Sequence, residues 1–195
     1  DHAKAHNNLA NQLRSLGQFD RALVHFTKAL EANFELAEAH KNLGITHKDL
    51  GNKEQAIASL INALAISPSY ASAYRALGQL KQYTSKDPQI ETMRTLLAAT
   101  ETSDQDRVEL YFALFKAMSD IGETTQAFDY LNAGNSLRKQ LLNYHIGADQ
   151  ILFEDIKSLF AKNNTAPLLI QSDKKPAKTP VFILGMPRSG TSLAE

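Results

Sequence analysis

A repeat at an offset of 34 residues constrains this chain more than any other feature. Residues 3–36, "AKAHNNLANQLRSLGQFDRALVHFTKALEANFEL", lie in register with residues 37–70, "AEAHKNLGITHKDLGNKEQAIASLINALAISPSY". His6 falls on His40, Leu9 on Leu43, Ala10 on Gly44 and Gly17 on Gly51. Ala22 falls on Ala56, Phe26 on Leu60, Ala29 on Ala63 and Phe34 on Pro68. A period of this length marks one supersecondary unit that buries its apolar face only by stacking on a copy of itself. Small residues at Ala10/Gly44, Ala22/Ala56 and Ala29/Ala63 let two antiparallel helices approach closely. Large ones at Leu9/Leu43 and Phe26/Leu60 are expected to fill the space between pairs. Gly17 and Gly51 stand where a first helix must end on a left-handed residue.

The pattern resembles the tetratricopeptide repeat (TPR) in period and in its small/large alternation. A third unit opens at Ala71 with "SAYRALGQLKQ", which puts Tyr74, Leu77 and Gly78 in repeat slots. Its second half, "YTSKDPQIETMRTLLAATE", lacks the turn glycine and the alanine that follows it. Asp87 then Pro88 reads as an N-cap and a first-turn proline, which places a helix from 88 to about 100. The slots return at Tyr111, Leu114, Gly122, Ala127, Leu131 and Gly134, and Ser103 with Asp106 resembles a capping box. A helix starting near Thr125 is expected to continue to about Tyr144. The next, 147–162, gathers Ile151, Leu152, Phe153, Ile156, Leu159 and Phe160 on one face, as a cap for the end of the stack would. The expectation is an all-α, right-handed superhelix of helix pairs (an α-α solenoid): units 3–36, 37–70, a degenerate 71–102 and 103–146, then the capping helix. Residues 163–180, with three prolines and the charged run "SDKKPAK", read as a linker.

Composition narrows the functions. Lys plus Arg number 21 and Asp plus Glu 21, so nothing favours bulk nucleic-acid binding or an anionic membrane surface. The absence of cysteine excludes disulfides and thiolate metal sites. No apolar run approaches a bilayer span, and "DHAKAHNN" is too polar for a signal peptide, so a cytoplasmic setting is expected. His6 and His40 occupy a slot that usually takes an aromatic ring. Packing therefore accounts for them, and for His2, His25, His47 and His145, better than a metal site does.

The resemblance to TPR arrays implies a concave groove lined by the second, fifth, ninth and twelfth residues of each unit. Here these include Lys4, Asn7, Asn11, Arg14, Lys41, Lys48, Arg75 and Lys116, opposed by Glu38 and Glu109. The groove is expected to be basic although the chain is neutral. It is therefore either a solvated face or a docking surface for an acidic segment of a protein or peptide.

The last stretch, "PVFILGMPRSGTSLAE", changes character. A short apolar strand, Val181 to Leu184, runs into a Gly/Ser/Thr loop and a helix opening, the layout of an anion cradle. Its spacing is one residue type from a P-loop, with Thr191 where a nucleotide triphosphatase has lysine, which argues against a kinase or ATPase. The stretch resembles the phosphosulfate-binding loop of sulfotransferases that use PAPS (phosphoadenosine phosphosulfate), in the form found in bacterial TPR-containing and tyrosylprotein sulfotransferases. That resemblance implies that Arg188, Ser189, Gly190, Thr191 and Ser192 grip the donor's phosphosulfate. Ser192 stands where threonine is more common. It also implies that residues 181–195 begin an α/β catalytic domain truncated before its base, its 3′-phosphate contacts and its acceptor pocket. On this reading the longer protein is a PAPS-dependent sulfotransferase, the present piece is inactive with neither bound cofactor nor metal, and the repeats dock the acceptor. A TPR scaffold with no enzymatic role is the other reading.

Overall fold

In a computed structural model the structure describes residues 2–161, and these are helical with no strand among them. The helices are α1 (His2–Ser15), α2 (Phe19–Ala32), α3 (Ala37–Asp49), α4 (Lys53–Ile66), α5 (Ala71–Gly78), α6 (Pro88–Ala98), α7 (Asp104–Asp120), α8 (Thr124–Leu141) and α9 (Ile146–Ala161). The chain divides into two units, Asp1–Tyr144 and His145–Glu195. The first unit is a stack of helix pairs in which α1 packs on α2, α3 on α4 and α7 on α8. The all-α solenoid anticipated from the period is the fold found.

The repeat slots explain the pairs. Gly17, Gly51 and Gly122 end α1, α3 and α7 with φ of 73°, 80° and 84°, the left-handed backbone that a side chain resists. Between the paired helices, Ala10, Ala22, Ala29, Ala56 and Ala63 are fully buried. Gly44 is held to glycine by space rather than by φ. A Cβ there would lie 2.9 Å from Leu60 Cγ and 3.0 Å from the Ala56 carbonyl oxygen. The aromatic slot does more than pack. His40 donates from Nε2 to the Phe34 carbonyl at 2.9 Å, and one repeat later the Tyr74 hydroxyl donates to the Pro68 carbonyl at 2.8 Å. Both bonds tie the turn between units to the helix that follows it.

The core is in two parts. Ala10, Leu13, Ala22 and Phe26 form a small cluster with Leu43 against it, and a larger one runs from Leu60 to Ala127. The α3–α4 pair carries a buried polar seam. Asn42 Nδ2 donates to Asn7 Oδ1 at 3.1 Å, Thr46 Oγ1 to the Asn42 carbonyl at 2.8 Å, and Ser59 Oγ to the Gln55 carbonyl at 2.9 Å. These bonds offset the cost of desolvating the seam.

Three expectations need correction. Leu9 does not fill a space between pairs: it is 45% exposed, whereas its equivalents Leu77 and Leu114 are fully buried. Leu43 packs on the cluster of α1 and α2, and no helix pair offers Leu9 the same cover among the described residues. Asp87 does precede Pro88 at the N-cap position, but its side chain caps nothing in α6. It turns back to accept from the Thr84 N–H at 2.7 Å and to pair with Lys81, which holds its carboxyl below the usual range. Ser103 caps α7 by accepting from the Asp106 N–H at 3.1 Å, but the reciprocal backbone bond of a capping box is replaced by its hydroxyl donating to Asp106 Oδ2.

The third pair departs from the repeat as its second half suggested. α5 ends at Gly78, Tyr83 in the following segment is buried, and α5 packs chiefly on α7 rather than on α6. α6 leans on α7 instead. In the second unit, α9 forms where a cap helix was expected, with Ile151, Leu152, Phe153 and Ile156 exposed. The side chains of Leu159 and Phe160, the linker 163–180 and the strand 181–184 lie outside the described residues.

Candidate functional site

The first helices of successive pairs, α1, α3 and α5, together with α7, are joined by a row of polar side chains. Asn7 of α1 meets Asn42 of α3, and Arg14 of α1 lies 3.8 Å from Asp49 of α3. Lys48 of α3 donates to Gln79 Oε1, just past α5, at 3.0 Å. Arg75 of α5 places Nη1 at 3.1 and 3.0 Å from the two carboxylate oxygens of Glu109 on α7, with its guanidinium 4.9 Å from the Phe112 ring centroid. Of the groove residues read from sequence, Asn7, Arg14, Lys48 and Arg75 take part in this row.

Their state differs from residue to residue. Lys4 is exposed, and Lys41 is half-buried with Nζ 5.1 Å from the Tyr70 ring centroid. Neither has a carboxylate at ion-pair distance among the described residues. Asn7 is 1% exposed and serves the contact with Asn42, so it is a packing residue and not an open groove contact. Asn11 is half-buried, with Oδ1 enclosed and unpaired. Lys116 turns to Asp120, whose carboxylate also accepts the Tyr83 N–H at 2.9 Å. Tyr83 itself is buried against Asp87 and Asp120, which raises its hydroxyl well above the ordinary phenol range. His47, half-buried on the last turn of α3, is pushed below the ordinary histidine value by burial.

Sequence reasoning counted Glu38 and Glu109 against these cations and missed Asp49 and Asp120. Asp120 lies four residues after Lys116, the spacing at which helical side chains meet, and that was the available signal; Asp49 is reached by Arg14 from the neighbouring helix. With Asp49 and Asp120 included, the positive excess is carried chiefly by Lys4 and Lys41. Among the described residues no group of three or more His, Asp or Glu side chains is placed to hold a metal ion. His40 lies edge-on to Phe34, and His6 Nδ1 faces His25 Nδ1 at 3.0 Å.

Residues 3–34 match the tetratricopeptide repeat family, and residues 47–82 match a second TPR repeat family. Tetratricopeptide repeats are thus matched over these two segments. Two solved structures share the TPR-like fold. The crystal structure of MamA superposes with a TM-score of 0.54 at 20% identity, over 74% of this chain and 82% of that one. A MamA RS-1 ArsTM double mutant gives 0.53 at 15% identity, over 85% and 98%. An uncharacterized protein of Aquifex aeolicus (strain VF5) is 31% identical over 132 residues, 68% of this chain. The chain spans 17% of that relative's length. No helix among the described residues is long and apolar enough to cross a membrane. Arg188, Ser189, Gly190, Thr191 and Ser192, the phosphosulfate-loop candidates, lie outside the described residues.

Proposed function

We propose that the TPR array is a docking module for an acidic segment of a protein, and that it stands in front of a PAPS-dependent sulfotransferase domain beginning at residues 181–195. The observation that carries docking is the row of side chains along α1, α3, α5 and α7. It joins Arg14, Lys48 and Arg75, from three different repeats, and the repeat register adds Lys4 and Lys41 to the same face in this reading. Helical repeats offer such continuous faces to extended partners. Lys4 and Lys41 supply cations that no neighbouring acid neutralises among the described residues.

Support for the sulfotransferase reading comes from the sequence "PVFILGMPRSGTSL" following the repeats and a linker. In this reading Arg188 and the hydroxyls of Ser189, Thr191 and Ser192 bind the donor's phosphosulfate, and Gly190 lets the backbone approach it. A cytoplasmic location belongs to the same proposal. The test is donor binding by a longer chain that includes the complete domain. Arg188→Ala should weaken PAPS affinity by about 1.5–3 kcal/mol, the range for a hydrogen bond to a charged group. Unchanged affinity would remove the loop assignment. The second reading, a scaffold without enzymatic role, is favoured by the family matches falling wholly within the repeats.

A further inference from the structure

At the α7–α8 end of the row, a pocket of about 290 Å³ opens between α5, α7 and the last turn of α8, lined by Arg75, Val108, Glu109, Arg138, Leu141 and Leu142. Its lining combines two chemistries. Leu141 and Leu142 are 47% and 66% exposed, and Val108 beside them is buried. Arg138 has no hydrogen-bond or ion-pair partner for its guanidinium among the described residues. Arg75 uses only Nη1 on Glu109, leaving the rest of its fork without a hydrogen bond among them. Two guanidiniums against one carboxylate leave the pocket one positive charge in excess.

An uncovered pair of leucines beside a spare arginine is complementary to an apolar side chain next to a carboxylate. The volume takes one such side chain and its flanking backbone, not a folded domain. We propose that this pocket is the anchoring subsite of the docking face and takes an aspartate or glutamate adjacent to a leucine-sized residue in an extended peptide. The acid pairs with Arg138 and the free edge of Arg75, and the apolar neighbour covers Leu141 and Leu142. The proposal rests on the docking reading of the row. It adds to that reading a fixed register, because a face of separate cations alone does not distinguish one acidic segment from another.

The experiment uses the whole chain and three short fluorescein-labelled peptides, read by fluorescence anisotropy. One has Asp-Glu-Leu at its centre, one Asn-Gln-Leu and one Asp-Glu-Ala. The first should bind tightest, and both replacements should weaken it. Arg138→Gln should lower affinity for the first peptide roughly tenfold or more and leave the Asn-Gln-Leu peptide unaffected. Leu142→Ser should remove its advantage over the Asp-Glu-Ala peptide. Both side chains are exposed, so circular dichroism should show the fold kept. Equal binding of the Leu and Ala peptides, or no effect of Arg138→Gln, overturns the pocket. The row reading then still stands if Lys41→Glu abolishes binding, and falls if it does not. Concentration-dependent dimerisation lost in Leu142→Ser, with no peptide bound, would also overturn the proposal and assign the leucines to self-association.

Discussion

Single residues in this array are constrained for different reasons, and substitutions separate them. Gly44→Ala and Gly17→Ala delete the same freedom on paper. At Gly44 the added Cβ meets Leu60 and backbone of α4, so α3 must move away from α4. Such overpacking costs about 1–3 kcal/mol. At Gly17 nothing lies within 4 Å of the new methyl, and the cost is only that of a left-handed φ, about 1 kcal/mol. Urea unfolding of the two variants should therefore rank Gly44→Ala below Gly17→Ala, and a Leu60→Ala background should shrink the Gly44 penalty alone. Two histidines add a pH dependence. His47 is lowered from the ordinary value near 6.5 by burial. His25 is lowered by burial, by His6, and then by Lys28 and Arg21. A histidine whose folded value is depressed binds fewer protons folded than unfolded. Its contribution is complete above pH 6.5 and is lost as pH falls through the folded value. Unfolding free energy should drop between about pH 7 and pH 5, and the double variant His25→Asn, His47→Gln should show a shallower slope.

At the level of elements, the departures from the repeat are where sequence reading was weakest. The regular pairs were legible because small residues, turn glycines and large fillers recur at one spacing, and a periodic constraint survives reading without neighbours. The start and stop of α6 were also legible from Asp87, Pro88 and the apolar positions. What Asp87 does was not, because a carboxylate at an N-cap and one turned back to Thr84 and Lys81 have the same local sequence. Nor was the role of Arg107 visible. Its Nε donates to the Thr102 carbonyl at 3.1 Å, Nη1 to Leu97 at 2.9 Å and Nη2 to Ala99 at 2.7 Å. One guanidinium thus satisfies carbonyls at and beyond the end of α6, where no later turn of helix does so. Arg107→Ala should loosen the α6–α7 connection at a cost of about 1.5–3 kcal/mol. Arg107→Lys should rescue little of it, since an ammonium cannot reach three separate carbonyls in one plane. Amide hydrogen exchange at residues 97–102 reads this directly.

For the molecule as a whole, the groove illustrates how far a residue list and a surface differ. The repeat register placed Lys4, Arg14, Lys41, Lys48 and Arg75 on one side, and the structure joins their helices through Asn42, Asp49, Gln79 and Glu109. Burial of Asn7 and the pairing of Asp49 with Arg14 were not readable, because they depend on how neighbouring helices pack. Arg75 is a poor site for charge reversal, since Glu at that position would face Glu109 and lose Phe112. Lys4 and Lys41 are the informative pair. The direct test is titration of an acidic peptide and its neutral amide counterpart against the whole chain and against the Lys4→Glu, Lys41→Glu variant, at low and high salt. Acidic-peptide binding should be modest and weaken as salt shortens the screening length below about 8–10 Å. It should vanish in the folded double variant. Equal affinity for the two peptides, or binding untouched by the reversals, would contradict the docking account.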